Sequence, residues 1–146
     1  MSITGWSAVR FLHVLAAMGW VGGQLLLSVV VLPALRGSGL DPDVRAPIIR
    51  AAAKRFAFVA NAVLLPTLLV TGPALAAHRH IDFGVFDDSG YGRLFTIKMV
   101  LVVLSIVLAA AHGVIAAKRP GRGRPLAIAG LASSVAIVVF ATALVP

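Results

Sequence analysis

A few polar side chains interrupt long apolar stretches of this chain, and their types indicate metal or redox chemistry. His13, Trp20 and Gln24 follow one another at intervals of seven and four residues, so a helix would carry all three on one face. Lys98 and His112 lie two heptads apart and would share a helical stripe. Imidazole suits haem iron, copper and zinc alike, and an amine within a bilayer must be paired, neutral or directed outward. These residues are therefore candidates for a cofactor site.

Other classes of chemistry are excluded by residue types that the chain lacks. It has no cysteine and no glutamate, and its five acidic residues are all aspartates outside the apolar stretches. Thiolate metal sites, iron–sulfur clusters, disulfides and cysteine nucleophiles are therefore excluded, and a carboxylate proton relay is disfavoured. The chain shows no Ser–His–Asp set, glycine-rich phosphate loop or metalloprotease motif, which disfavours hydrolase and kinase chemistry.

The polar residues lie in four apolar stretches that are long enough to be transmembrane helices. The chain has 146 residues, of which 60% are hydrophobic and 12% charged, whereas a soluble domain carries about 25% charged residues. A helix of about 20 apolar residues crosses the hydrocarbon core, and the first stretch is too long for a signal peptide. The sequence predicts an all-α integral membrane protein, an antiparallel four-transmembrane-helix bundle in a single domain, 1–146. The predicted spans cover about 6–35, 56–77, 94–117 and 126–145.

The basic residues predict the orientation of these spans. Nine of the 13 Lys and Arg residues fall in the predicted loops 36–55 and 118–125, which the positive-inside rule assigns to the cytoplasm. Both termini and the loop 78–93 would then lie outside the inner membrane of a bacterium. The net charge of +8 reflects this topology and contact with anionic lipid, and nucleic-acid binding is not expected. Within loop 36–55, Asp43 is the expected N-cap of a short amphipathic helix on the membrane surface.

Depth in the bilayer separates the candidate ligands into two levels. At 1.5 Å per residue, His13 would lie about 10 Å and Lys98 about 6 Å below the outer edge, with His112 about 27 Å below it. His13 and His112 would therefore be about 17 Å apart in depth, too far to ligate one haem iron. His78 and His80, at the outer end of the second span, lie closer to the level of His13.

Each candidate also has a structural interpretation. His13 could be a neutral core histidine that bonds a backbone carbonyl or Thr71. Lys98 could direct its ammonium outward to the membrane surface, and His112 could be an interfacial residue.

Glycines and prolines in the spans indicate where helices approach or bend. Gly22, Gly23 and Gly113 are expected at close helix contacts. Pro66 and Pro73 are expected to distort the second helix and release backbone carbonyls. A distorted helix leaves space for a flat cofactor.

Three segments resemble the CopD and HemJ group of small bacterial membrane proteins. These are VRFLHVLAAMGWVGGQLLLSVVVLPAL, RFAFVANAVLLPTLLVTG and GRLFTIKMVLVVLSIVLAAAHG, which are similar to the first three helices of that group. The resemblance implies four membrane helices. HemJ-like proteins resemble b-type haem binders and oxidise protoporphyrinogen, with a first-helix histidine and a third-helix lysine that match His13 and Lys98. CopD-like proteins are linked to copper uptake or resistance.

The expected function is a membrane protein that binds b-type haem in its outer half and has a redox role. This role would be electron transfer, or HemJ-like oxidation of a lipophilic substrate such as a porphyrinogen or a quinol. His13 would be an axial ligand, and Lys98 or His78 would supply the second ligand or a contact to a propionate. Trp20 and Gln24 would line the pocket below. The redox partner and the substrate are left open, and a homodimer could place the haem at a subunit boundary.

Two alternatives remain open from the sequence. A CopD-like copper-handling protein without haem would use His13, His78 and His80 at the outer mouth, and His112 is a further imidazole that could hold a metal. A non-catalytic membrane scaffold would use the same polar residues only to join helices.

Overall fold

The protein is all-helical throughout the part of the chain that the structure describes. The structure is a computed structural model and describes residues 4–79, 90–119 and 122–144. No strand occurs among these residues, which confirms the predicted all-α class. The chain divides into two compact units, Met1–Ile81 and Asp82–Pro146, each of which has its own internal packing.

Four helical segments in the described residues have the length and apolar composition to cross a membrane: Gly5–Gly37, Pro42–His78, Tyr91–Ala116 and Arg124–Ala143. The first unit contains α1 (Gly5–Leu25), a π-helical turn (Leu26–Val31), α2 (Leu32–Gly37), α3 (Pro42–Val59), a second π-helical turn (Ala60–Leu64) and α4 (Leu65–His78). The second unit contains α5 (Tyr91–Lys118) and α6 (Arg124–Ala143). Most of the predicted outer loop 78–93, including His80, lies outside the described residues.

The second helical segment begins much earlier than the sequence predicts. Its helix starts at Pro42 and continues to His78, so the predicted loop 36–55 shrinks to the few residues that follow Gly37. The cap is Asp41, whose side chain accepts from the Asp43 N–H at 2.9 Å. The prediction of Asp43 as N-cap was therefore wrong by two residues. Pro42 suits the first helical position because its missing N–H would have no helical partner there.

Each π-helical turn ends two residues before a proline. The Leu32 N–H donates to the Leu27 carbonyl just before Pro33, and the Leu65 N–H donates to the Ala60 carbonyl just before Pro66. Both bonds reach five residues back. Proline has no N–H and its ring presses on the carbonyl four residues back, and a single wider turn accommodates this.

The predicted distortion at Pro66 thus takes the form of a π-helical turn. Helix α4 continues through Pro73.

Helix α1 packs against the second helical segment through glycine. A Cβ atom at Gly23 would overlap the ring of Phe56, and one at Gly19 would come within 3.1 Å of Leu64. A Cβ atom at Gly22 would meet nothing within 4 Å. The close approach predicted for the Gly22–Gly23 pair is therefore confirmed for Gly23 alone.

Helices α5 and α6 pack together through small and hydroxyl-bearing residues. Ser105 and Ser134 share a hydrogen bond of 3.0 Å between their Oγ atoms, and Ser134 is fully buried. The Ser133 Oγ donates to the Leu101 carbonyl at 3.1 Å, and Gly130 faces the Leu108 side chain. Gly113 faces open space, so the prediction of a close contact there was wrong.

Candidate functional site

His13 is held to the second helical segment by a threonine. Its Nδ1 lies 2.9 Å from the Oγ1 of Thr71, and Thr71 is buried at 7% exposure. The sequence offered Thr71 as one of two partners for this imidazole, and the structure selects it. The bond joins α1 to α4 within the first unit, so it fixes the ring relative to two helices.

The hydrogen bonds around Thr71 assign the tautomer of the neutral His13 ring. The Thr71 hydroxyl donates its one proton to the Thr67 carbonyl at 2.6 Å. It must therefore accept from His13, and Nδ1 carries the ring proton. The lone pair of a neutral imidazole then lies on Nε2. Metal-ligating histidines commonly have this arrangement, in which one ring nitrogen donates to a protein group and the other faces the metal.

A glycine lies beside the His13 ring. A Cβ atom at Gly72 would lie 3.4 Å from the Cε1 of His13, which is van der Waals contact, so an alanine methyl group there would touch the ring without displacing it. Thr71 therefore fixes the ring by hydrogen bonding, and the backbone at Gly72 packs beside it.

Trp20 and Gln24 lie on α1 and are half-buried, as is His13. Their spacing of seven and four residues places them on the helical face of His13, as the sequence predicts. The buried Ala16, at 4% exposure, lies between His13 and Trp20 along this face.

His78 stacks on an aromatic ring at the C-terminal end of α4. Its ring lies 3.9 Å from that of Trp6, with an interplanar angle of 5°. Trp6 precedes His13 by seven residues, which corresponds to about 10 Å along the helix axis. The structure therefore does not bring the His13 and His78 rings to one point, and in this arrangement they cannot be the two axial ligands of one iron.

His112 is bonded at the turn between α5 and α6. Its Nδ1 donates to the Gly123 carbonyl at 2.9 Å, because a carbonyl oxygen can only accept. A Cβ atom at Gly123 would lie 2.8 Å from that nitrogen, so the close contact requires glycine. The bond ties the end of α5 to the turn, as the structural interpretation requires, and it is equally compatible with a metal ligand that would bind through Nε2.

Lys98 lies on α5 in the second unit and is half-buried. Its predicted proximity to His13 remains a prediction. Within residues 4–79, 90–119 and 122–144, no three side chains of His, Cys, Asp or Glu come together as a metal-binding group. His80 lies outside those ranges. The predicted copper site of His13, His78 and His80 therefore remains a prediction.

Some residues of the site were not evident from the sequence. Thr67 is the carbonyl acceptor that orients the Thr71 hydroxyl, and it carries only the weak signal of a threonine four residues before another. Trp6 and Gly72 are defined by contacts between helices, for which the linear sequence offers no spacing rule.

Comparison with known proteins assigns no activity to this site. No protein-family model matches the sequence, and no solved structure matches it. A protein of Aquifex aeolicus (strain VF5), described as uncharacterized, is 34% identical over 97 residues, which cover 66% of this chain and 63% of the relative. This chain thus spans less than two thirds of the relative's length, and the resemblance to the CopD and HemJ group remains a prediction.

Proposed function

We propose that the chain is a four-span protein of a bacterial inner membrane, with antiparallel neighbouring helices and both termini outside. The four apolar helices support this. In the first unit, Trp6 contacts His78 and His13 contacts Thr71. The residue number therefore rises along α1 while that of its partner falls along α4, as in antiparallel helices. In the second unit, the pairs Ser105–Ser134 and His112–Gly123 follow the same pattern. The basic residues favour a cytoplasmic location for the turns that follow α2 and α5.

We further propose that this protein binds b-type haem through His13 and has a redox role. The observation that carries the proposal is the chain of hydrogen bonds from His13 Nδ1 to Thr71 and on to the Thr67 carbonyl. It orients a half-buried imidazole through Nδ1, so that Nε2 would be the atom that coordinates iron in a neutral ring. Histidine is a common ligand of haem iron in proteins, and His13 supplies this imidazole.

The surrounding residues would hold the group as follows. Trp20 and Gln24, on the His13 face of α1, would line the pocket. His78 stacks on Trp6, which lies about 10 Å from His13 along the α1 axis, so it is suited to contact a propionate rather than the same iron. Lys98 keeps the two roles that the sequence assigns to it, second ligand or cation for a propionate. Bound haem would supply one-electron redox chemistry for electron transfer or for oxidation of a lipophilic porphyrinogen or quinol.

The test is the visible spectrum of the full chain, purified in detergent and supplemented with haem. We expect a Soret band in the wild-type protein and none in His13→Ala. Thr71→Val retains the ligand but loses its orienting partner, so we expect haem affinity to fall about 10- to 100-fold. His112→Ala is the matched control, because it removes an imidazole that bonds a backbone carbonyl elsewhere, and it should keep the wild-type spectrum.

Three other results would contradict haem binding or favour another function. A wild-type protein without a Soret band after supplementation rejects haem binding. Stoichiometric copper without porphyrin would favour the CopD-like alternative, in which His13 and His78, which the structure keeps apart, would each be a separate candidate ligand. If replacement of both His13 and Lys98 changes only the stability of the protein, the polar residues only join helices, as in a non-catalytic scaffold.

A further inference from the structure

A cleft with three basic side chains lies at the end of α5. It has a volume of about 350 Å³ and is lined by Lys118, Arg119, Arg122 and Ile115. The backbone of the turn brings these residues together. The Arg119 N–H donates to the Ile115 carbonyl at 2.7 Å, and the Arg122 N–H donates to the Arg119 carbonyl at 3.2 Å.

The charge of this cleft is not balanced by nearby carboxylates in the sequence. The chain has no acidic residue after Asp88, so α5, α6 and the turn between them contribute only cations. Helix α5 has 28 residues and therefore extends about 42 Å, which separates the cleft from the aspartates that precede that helix.

The lining combines two chemical properties. Three cationic side chains match a phosphate group, and guanidinium groups bind phosphate oxygens with paired N–H donors. Ile115, one turn back along an apolar helix, adds a hydrocarbon wall. A ligand that suits both parts has an anionic phosphate head and an apolar tail. Basic pockets between membrane helices on the cytoplasmic side bind such head groups.

We infer that Lys118, Arg119 and Arg122 form a binding site for the head group of an anionic phospholipid, with the start of an acyl chain against Ile115. The site is independent of haem and lies at the turn that the basic residues place on the cytoplasmic side. Its occupant would anchor the α5–α6 turn in the inner leaflet.

The experiment measures binding of phosphatidylglycerol and phosphatidylcholine to the full chain in detergent micelles, with each lipid labelled on an acyl chain. We expect the wild-type protein to bind phosphatidylglycerol about tenfold more tightly. The triple variant Lys118→Gln, Arg119→Gln, Arg122→Gln should lose this preference. Arg122→Gln alone changes a turn residue outside both helices and should reduce the preference for phosphatidylglycerol about threefold. This single variant replaces the triple variant in the test if the triple variant does not fold.

A matched control distinguishes specific lipid binding in the cleft from general attraction to positive surface charge. Arg50→Gln, Lys54→Gln, Arg55→Gln removes the same number of positive charges from exposed positions on α3, which topology places on the same side of the membrane. This variant should keep the preference for phosphatidylglycerol. Equal losses in the two triple variants would show diffuse electrostatic attraction and overturn the proposal.

A competition experiment tests whether the cleft binds a lipid or free phosphate. Inorganic phosphate, added in excess over the labelled lipid, should leave phosphatidylglycerol bound, because it lacks the apolar tail that Ile115 contacts. Complete displacement by inorganic phosphate would identify a simple anion site and overturn the lipid assignment. Equal binding of phosphatidylglycerol and phosphatidylcholine by the wild-type protein would also overturn the lipid assignment.

Discussion

The smallest unit of the candidate site is the pair of His13 and Thr71. A threonine that donates to its own helix is common in membrane helices and by itself indicates little. Here the same hydroxyl also accepts from the His13 ring at 2.9 Å, so two ordinary bonds together fix the ring tautomer. That is why the site is best described by the three-membered chain from His13 through Thr71 to the Thr67 carbonyl.

This chain of bonds predicts a stability difference between two neighbouring threonines. Thr71→Val removes the acceptor for the His13 N–H and should lower the free energy of unfolding by about 1 to 2 kcal/mol. Thr67→Val removes only a hydroxyl that donates to the Val63 carbonyl at 2.7 Å, and the Thr67 carbonyl used by Thr71 stays. It should change stability by less than about 0.5 kcal/mol.

Denaturant titration of the cofactor-free protein in detergent measures both changes. Adding Thr71→Val to His13→Ala should have little further effect, because the two residues share one interaction. Equal destabilisation by Thr67→Val and Thr71→Val would show that the bond to His13 contributes nothing.

At the scale of elements, the position of α1 is set by which of its glycines faces the neighbouring segment. Gly23 lies against the Phe56 ring, whereas the adjacent Gly22 faces open space. Successive residues of a helix are separated by about 100°, so one of two neighbouring glycines can be essential for packing while the other is not. Gly23 permits the approach that keeps α1 and α4 within hydrogen-bonding distance at His13.

Adjacent glycine substitutions test this packing. Gly23→Ala places a Cβ atom in the Phe56 ring, so the ring must move, and we expect a loss of about 1 to 3 kcal/mol in stability. Gly22→Ala should be neutral or stabilising by up to about 1 kcal/mol, because alanine favours a helix over glycine.

Thermal unfolding in detergent, followed by circular dichroism, measures both variants. The double variant Gly23→Ala, Phe56→Ala should recover part of the loss, since the space taken by the new methyl group is vacated. If Gly22→Ala is as damaging as Gly23→Ala, the assigned face of α1 is incorrect.

At the scale of the whole molecule, the distribution of charge predicts how the four apolar helical segments are oriented in the membrane. The residues between α2 and α3 and between α5 and α6 are flanked by Lys and Arg, whereas every aspartate other than Asp41 and Asp43 lies between α4 and α5. The positive-inside rule then predicts a single orientation for all four helices. This orientation would place His13 near the outer surface and the basic cleft near the cytoplasm.

Cysteine labelling tests this orientation directly, since the native chain has no cysteine. Ser89→Cys should react with a membrane-impermeant maleimide on the outer face of intact spheroplasts. Ser38→Cys should react only after the membrane is permeabilised. The two serine replacements are matched in chemistry and differ in the predicted side, so the reverse labelling pattern would show that the protein has the opposite orientation.

The sequence alone determined the helical class, the four apolar segments and the polar positions within them. These properties depend on hydropathy and helical period, which are local along the chain. The sequence also offered Thr71 as one of two possible partners for His13, the other being a backbone carbonyl, because a polar group in hydrocarbon needs a partner.

Tertiary structure alone decided which close contacts form. It placed His78 on Trp6 and away from His13, bonded His112 to Gly123, selected Gly23 over Gly22, and extended the second helical segment back to Pro42. Contacts of this kind depend on the rotation and register of two helices at once. A shift of one residue turns a side chain by about 100°, and no local pattern specifies that angle.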